Sequence, residues 1–192
     1  MKTSRGISLK YQRFLLTLGL CISTNLVLAG SCTVSSRGIA FGTYQPLTFE
    51  GRLVSLSKTT TATVSVMCTS IVTGGSYTIS LGPSNYGSGN RIETRYLRNN
   101  FNGGDLMAFN VFTNASYTTI WGGSAAGSLL NSTVGASYTT INGGTGSLLS
   151  GTIGRGDSNQ SHTVYGQISA GQNTLKAGNF SDSLLMTLTY EP

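Results

Sequence analysis

Apolar and polar side chains alternate along several short stretches of this chain. The clearest stretch is residues 61–68, in which Val64, Val66 and Cys68 fall on one face and mostly hydroxyl-bearing residues fall on the other. Alternation with a period of two residues is typical of a β-strand with one buried face. No stretch shows the helical period of about 3.6 residues. The pattern therefore predicts an all-β protein.

The same criterion predicts further strands along the chain. Most are short, and turns rich in Gly, Asn and Ser separate them. Short strands with turns at this spacing indicate a β-sandwich. The predicted strands are residues 39–44, 77–81, 95–97, 106–113, 117–121, 163–168 and 183–190.

The last of these runs, residues 183–190, is strongly apolar on one face and has no later segment to cover its far edge. An uncovered edge beside such a strand invites pairing with another chain. Donor-strand complementation, in which a strand from a second protein completes the sheet, would satisfy that edge. We therefore expect an open cleft here, with residues 32–34 near its other side. The residues expected to border it are Leu184, Met186, Leu188 and Tyr190.

Six short motifs follow one another along the chain. They are Cys-Thr-Val at 32–34, Phe-Gly-Thr-Tyr-Gln-Pro at 41–46, Trp-Gly-Gly at 121–123, Tyr-Gly at 165–166, Ala-Gly-Gln at 170–172 and Ala-Gly-Asn-Phe-Ser-Asp at 177–182. This series resembles the spore coat protein U-like domain, the pilin domain of archaic chaperone–usher pili.

The resemblance implies an immunoglobulin-like β-sandwich that lacks its last strand. It also implies partners: a periplasmic pilus chaperone that lends a strand, an outer-membrane usher, and other pilin subunits. The expected role is that of a structural or tip subunit of a surface fibre, with adhesion and biofilm formation as its purpose. The alternative is a self-contained secreted coat or carbohydrate-binding β-sandwich, closed from within by its own loops.

Residues 1–29 have the organisation of a cleavable signal peptide. A basic start precedes a short apolar core at residues 14–22, and residues 27–29 fit a cleavage site. The core is shorter than the ~20 residues of a membrane span, so no span is expected. We expect export through the inner membrane to the periplasm, then the cell surface or medium, with residues 30–192 as one domain.

The position of signal cleavage decides whether the chain keeps an N-terminal arm that it could donate as a strand. Cleavage after Ala29 leaves only Gly30 and Ser31 ahead of the first cysteine. Such a subunit could accept a strand but not give one, which suits the tip of a fibre or an unassembled protein. Cleavage after Ser23 would keep a short arm, residues 24–31.

Removing the signal segment changes the charge and the cysteine count. The segment carries four of the 12 basic residues and none of the six acidic ones, so the remainder has 8 − 6 = +2. No basic patch with interleaved aromatic residues remains, and nucleic-acid binding is not expected. Cys21 leaves with the signal, and in an exported protein the remaining Cys32 and Cys68 are expected to form a disulfide.

The middle of the chain contains a duplication. Residues 115–124 recur as residues 136–145, an offset of 136 − 115 = 21 positions. A solenoid needs at least about three repeats, so the region of about 114–150 is predicted to hold a local duplication inserted in one connection, and residues 124–145, close to one repeat length, are predicted to be dispensable for folding. It is either a long hairpin or loop, or an added binding surface. Only the first copy carries the single tryptophan, Trp121, which is expected to anchor the core.

No set of residues supports catalysis, metal binding or cofactor binding, so the chain is not expected to be an enzyme. The only histidine, His162, lacks an adjacent carboxylate and nucleophile and is expected to be solvated. Arg155-Gly156-Asp157 matches a tripeptide read by some animal adhesion receptors. Such a tripeptide arises easily by chance in a glycine-rich loop, and no function is assigned to it.

Overall fold

The computed structural model describes residues 30–45, 56–86, 92–101, 103–123 and 146–191. These residues form strands and no helix, which confirms the all-β class. The strands are β1 (Ser31–Ser36), β2 (Lys58–Ile71), β3 (Gly75–Leu81), β4 (Arg95–Asn99), β5 (Leu106–Phe112), β6 (Leu149–Ile153), β7 (Gly156–Ile168), β8 (Phe180–Ser181) and β9 (Met186–Glu191).

The strands form two antiparallel sheets that pack face to face. The larger has the order β1-β2-β7-β5-β4-β8, and the smaller has the order β6-β3-β9. Their inward side chains form one apolar core, so the predicted β-sandwich is confirmed. The core includes Val64, Val66 and Cys68 of β2, which are each 1% exposed. The alternation along residues 61–68 thus marks the inward face correctly.

A buried arginine closes one end of the core. Arg95 begins β4 and is 0% exposed. Its Nε donates to the carbonyl of Gly82, and its Nη2 donates to the carbonyls of Leu81 and Trp121, each at 2.8 Å. Its Nη1 donates to Oδ1 of Asn110 at 2.5 Å. Burial lowers the pKa of Arg95 to about 9, so the side chain stays charged at neutral pH while it joins three separate segments.

Trp121 lies beside this cluster. It is 2% exposed, and its indole N–H donates to the carbonyl of Ile79 at 2.9 Å. The next residue, Gly122, lies against Gly146, so closely that a Cβ on Gly146 would overlap the backbone of Gly122. A parallel bridge joins Trp121 to Ser147. The two ends of the duplicated region are therefore held together, while its residues 124–145 lie outside the described part of the chain, as do residues 1–29.

Two predicted strands are wrong. Residues 39–44 follow a non-strand path, because Gly38 and Gly42 have φ of 83° and 67°, a region that favours glycine. The predicted strand at 117–121 is reduced to isolated bridges at its end. There the side chain of Asn114 accepts the amide hydrogens of Thr118 and Thr119, which makes a turn instead.

The segment that includes Arg155-Gly156-Asp157 and His162 also contains more strand than the sequence predicts. Gly156 has φ of 95°, and Oδ1 of Asp157 accepts the amide hydrogen of Ser70 at 2.8 Å, so the tripeptide makes the turn into β7. Strand β7 then begins at Gly156 rather than at residue 163. His162 lies in the middle of this strand, is partly exposed and hydrogen-bonds Tyr77 across the sandwich, so it is only partly solvated.

Candidate functional site: the seam between the first and last strands

The two ends of the described chain meet along one side of the sandwich. Strand β1 is an edge of the larger sheet, β9 is an edge of the smaller sheet, and the two strands lie next to each other. Within the described residues, β1 pairs only with β2 and β9 pairs only with β3. We call the boundary between β9 on one side and β1 with residues 37–45 on the other the seam.

Side chains on the β9 wall of the seam are less buried than their partners in the sheet. Tyr77 and Ile79 of β3 are 1% and 0% exposed. Their cross-strand partners, Tyr190 and Leu188 of β9, face the same way but remain partly exposed. The two strands share one face, but among the described residues β3 has a strand on each side and β9 has only β3 beside it, which accounts for the difference.

The β1 wall repeats this contrast. Cys68 and Val66 of β2 are each 1% exposed, whereas their partners Cys32 and Val34 of β1 are partly exposed. The core is therefore well buried in the middle and only partly buried where β1 and β9 meet. Other partly exposed apolar residues that pack against the core from these two end segments are Ile39, Phe41, Tyr44, Leu175, Phe180, Leu184 and Met186.

A disulfide fixes the β1 wall in place. Cys32 and Cys68 are bonded, with a Cα–Cα distance of 4.1 Å, and they are opposite each other in the strand register. The predicted disulfide is confirmed. By closing a loop of this length, the bond is expected to stabilise the fold by roughly 3–4 kcal/mol in the chain-entropy model.

Residues 39–45 continue this wall and border a cleft. Phe41 contacts Phe109 edge-on, with a distance of 5.8 Å between ring centroids, and lies over Gly166, where a Cβ would meet its ring. Residues 175–182 form the opposite side, and the cleft between them has a volume of ≈ 1090 Å³. Its apolar lining includes Leu97, Met107 and Ile168.

Gln172 holds the start of the 169–182 excursion against β5. Its side-chain amide donates to the carbonyl of Ala108 at 2.9 Å and accepts that residue's N–H, as a neighbouring strand would. The same amide also donates to the carbonyl of Ser169 at 2.8 Å. The motif at 170–172 therefore positions one side of the cleft.

The four residues predicted to border an open cleft lie along β9 or just before it, and they are not among the residues that line the cleft at 39–45 and 175–182. Met186, Leu188 and Tyr190 are in the strand, and Leu184 precedes it. Tyr190 also donates its hydroxyl hydrogen to the carbonyl of Thr73 at 3.0 Å. Sequence reasoning missed the cleft lining at 39–45 and 175–182, although two of the six motifs, at 41–46 and 177–182, largely coincide with it.

Titratable groups near the core are few in the described residues. Tyr77 and His162 share a hydrogen bond of 2.6 Å, and burial lowers the pKa of His162 and raises that of Tyr77. Burial is also the main reason that the pKa of Asp182, on the cleft, is raised. Over the described ranges, no three His, Cys, Asp or Glu side chains group as metal ligands would. This part of the chain also offers no helical candidate for a membrane span.

A disulfide-clamped β-sandwich with an incomplete seam is the class of structure that these observations define. The family model described as the Spore Coat Protein U domain matches residues 19–187, so the chain belongs to that family and the resemblance of its motifs is confirmed. The matched range begins ahead of the predicted cleavage site at Ala29.

Comparisons with individual proteins were made with curated proteins and with solved structures. No curated protein matches the chain. The chain is similar to a chain of the CsuC-CsuE chaperone-tip adhesion subunit pre-assembly complex from the archaic chaperone-usher Csu pili of Acinetobacter baumannii, with a TM-score of 0.45 and 15% identity. The match covers 83% of this chain and 39% of that one, so this chain spans about two fifths of its length.

Proposed function

We propose that this chain is a subunit of a chaperone–usher pilus and that a strand from another protein completes its sandwich along the seam. The observation that carries the proposal is the burial contrast between Leu188 and its partner Ile79, which recurs at Val34 and Val66. Membership of the Spore Coat Protein U domain family also supports this proposal.

A strand inserted beside β9 would act in two ways. Its backbone would pair with the N–H and C=O groups on the edge of β9 that no described strand covers. Its alternate side chains would cover the apolar residues of the seam, at about 25 cal/mol for each Å² removed from water. The folded subunit is therefore expected to be more stable with a donor than without one.

The proposed partners follow from this need for a donor. A periplasmic chaperone lends the first strand, and at the outer-membrane usher a neighbouring pilin subunit replaces it. The mature domain, residues 30–192, then forms part of a fibre on the cell surface, where it serves adhesion and biofilm formation. No enzymatic activity, cofactor or metal is part of this proposal.

The position at which the mature chain starts decides whether the subunit can also donate a strand to a neighbour. Strand β1 begins at Ser31, directly after Gly30, which packs against Ile71. An arm that reaches another subunit must therefore come from residues before 30. N-terminal sequencing of the exported protein distinguishes the two roles: a start at Gly30 indicates a tip subunit that only accepts, and a start near Thr24 indicates a subunit with a short donor arm.

The proposal is tested by adding donors to the purified, exported protein. Co-expressed chaperone, or a synthetic donor peptide from a companion subunit, should raise the melting temperature, because it binds only the folded state. Leu188→Asp should abolish this response, since a carboxylate would be buried in the completed seam without a partner. Leu185→Asp is the matched control, because Leu185 is 52% exposed and its carboxylate would stay in water.

The result that would contradict the proposal is a stable monomer whose melting temperature does not change with any donor. That behaviour would indicate a sandwich closed from within, as the coat or carbohydrate-binding alternative requires. Loss of the response in both variants would show instead that the substitutions act through general destabilisation.

A further inference from the structure

The turn that follows β5 holds a tyrosine in an uncommon backbone conformation. Tyr117 has φ of 55°, in the left-handed region, where a bulky side chain is an outlier. Asn114 enforces the turn, because its carbonyl accepts the amide hydrogen of Tyr117 at 3.2 Å and its side chain accepts those of Thr118 and Thr119. Outliers that the surroundings enforce in this way often belong to functional sites. The placement of Tyr117 therefore points to a role beyond the turn itself.

The turn places Tyr117 in a cluster of three aromatic rings on the outer face of the larger sheet. Phe112 and Tyr165 are cross-strand partners that alternate with the core residues Val111 and Val164. The ring of Tyr117 meets both of them edge-on, at centroid distances of 5.7 and 6.2 Å. Phe112 is 8% exposed and forms the base of the cluster, while the two tyrosines are only partly buried. They therefore leave part of their surface open to solvent beside the sheet.

The sheet surface next to this cluster is polar but carries no charge. We call it the neutral face; it consists of the outward side chains of β1, β2 and β7, which are the odd-numbered residues of 31–35, 59–69 and 159–167. Every one except Met67 ends in a hydroxyl or an amide group, none is charged, and all are exposed or partly exposed. A charged ligand finds no counter-ion here, whereas a neutral ligand with many hydroxyl groups finds hydrogen-bond donors and acceptors along the whole surface.

We propose that Tyr117, Tyr165 and the neutral face form a binding site for an uncharged polysaccharide. The C–H faces of a sugar ring pack on aromatic rings, and its hydroxyl groups exchange hydrogen bonds with Ser, Thr, Asn and Gln side chains. An extended polymer also matches a surface that crosses three neighbouring strands. The neutral face points away from the core, so it stays accessible whether or not a donor strand fills the seam. The site goes beyond the pilus-subunit function and does not depend on it.

The test measures binding of the exported protein to neutral polysaccharides (dextran, laminarin, galactomannan and hydroxyethyl cellulose) and to acidic alginate, by retardation in native gels that contain each polymer. At least one neutral polymer should retard the protein, and alginate should retard it less. Tyr117→Ala and Tyr165→Ala should each weaken the binding about tenfold or more, because anchoring aromatic residues carry much of the affinity of a binding surface. Tyr96→Ala is the matched control and should bind normally, since Tyr96 is a partly exposed tyrosine of β4 outside the neutral face.

A further variant keeps the test valid if the tyrosine variants fail to fold. Thr61 is exposed and pairs with Tyr165 across β2 and β7, so Thr61→Glu adds a charge to the neutral face without entering the core. It should weaken the binding about tenfold or more, because a neutral ligand would desolvate the carboxylate without pairing it. The melting temperature and its response to a donor peptide should stay unchanged.

Several results would overturn the inference. If none of the neutral polymers retards the protein, the site does not exist, and the donor-strand function still stands as long as the donor response persists. Equal or stronger retardation by alginate would show that a charge is recognised. Binding that survives Thr61→Glu and both tyrosine substitutions, or that Tyr96→Ala weakens equally, would place the contact elsewhere on the protein.

Discussion

The middle of the sandwich and the seam are built from the same alternation of apolar and polar residues, but they differ in burial. Ile79 in the middle is 0% exposed, and Leu188, opposite it on the next strand, is partly exposed. Residue type explains none of this difference, because both are large aliphatic side chains. The number of neighbouring strands explains it. An alternating pattern thus identifies which side chains face inward, and the position in the sheet decides how well they are covered.

The largest effect on stability is expected from Arg95, which closes one end of the core. Arg95→Met removes the donors to three buried carbonyls and to Asn110, and we expect a loss of about 3–5 kcal/mol in the free energy of unfolding, enough to prevent folding in a marginal protein. Arg98→Met, in the same strand but exposed, should cost less than about 1 kcal/mol. Denaturant unfolding of both variants measures the difference; equal losses would refute a special role for Arg95.

An intermediate effect should separate the two members of one cross-strand pair. Ile79→Ala should cost about 2–5 kcal/mol, since it leaves a cavity in a closed core. Leu188→Ala should cost about 1–2 kcal/mol, because water already reaches this side chain. The comparison becomes sharper with a bound donor: the cost of Leu188→Ala should then rise towards that of Ile79→Ala. Equal costs without a donor would mean that the seam is already closed.

The smallest expected effect is a pH dependence of the free energy of unfolding that comes from His162. Burial lowers the pKa of His162 from 6.5 in the folded protein, so the unfolded chain takes up a proton first as the pH falls. The stability from neutral His162 is therefore complete above about pH 6.5 and is lost as the pH falls through the lowered pKa. His162→Gln should flatten this slope in unfolding experiments below about pH 6.5. An unchanged slope would assign the pH dependence to other groups.

The sequence predicted most of this sandwich, because the central strands alternate regularly. It failed where glycine geometry or a turn overrides the alternation, as at Gly42 and Asn114. Strand β7 was predicted too short, since its first half is a polar run that reads as a loop yet pairs with β2. Strand β6 was missed because it follows the duplicated region, whose path the sequence left undecided.

The candidate site was only partly predictable for a related reason. The apolar face of β9 is visible in the sequence, and so are the two cysteines that fix β1. The cleft at 39–45 and 175–182 is formed by irregular segments whose packing no periodicity describes. Arg95 and Asp182 read as ordinary solvent-exposed charges, and only the folded chain shows that one is buried at the sealed end of the core and the other lines the cleft.

The contact between Gly122 and Gly146 has a consequence for how the chain tolerates inserted sequence. Once Trp121 and Ser147 are bridged, any segment between them is a closed loop with anchored ends. The entropy cost of such a loop grows only with the logarithm of its length, about 0.6 kcal/mol for each doubling. A tandem duplication of 21 residues can therefore be added here at little cost in stability. The same arithmetic makes this junction a suitable place to display a foreign epitope without disturbing the strands on either side.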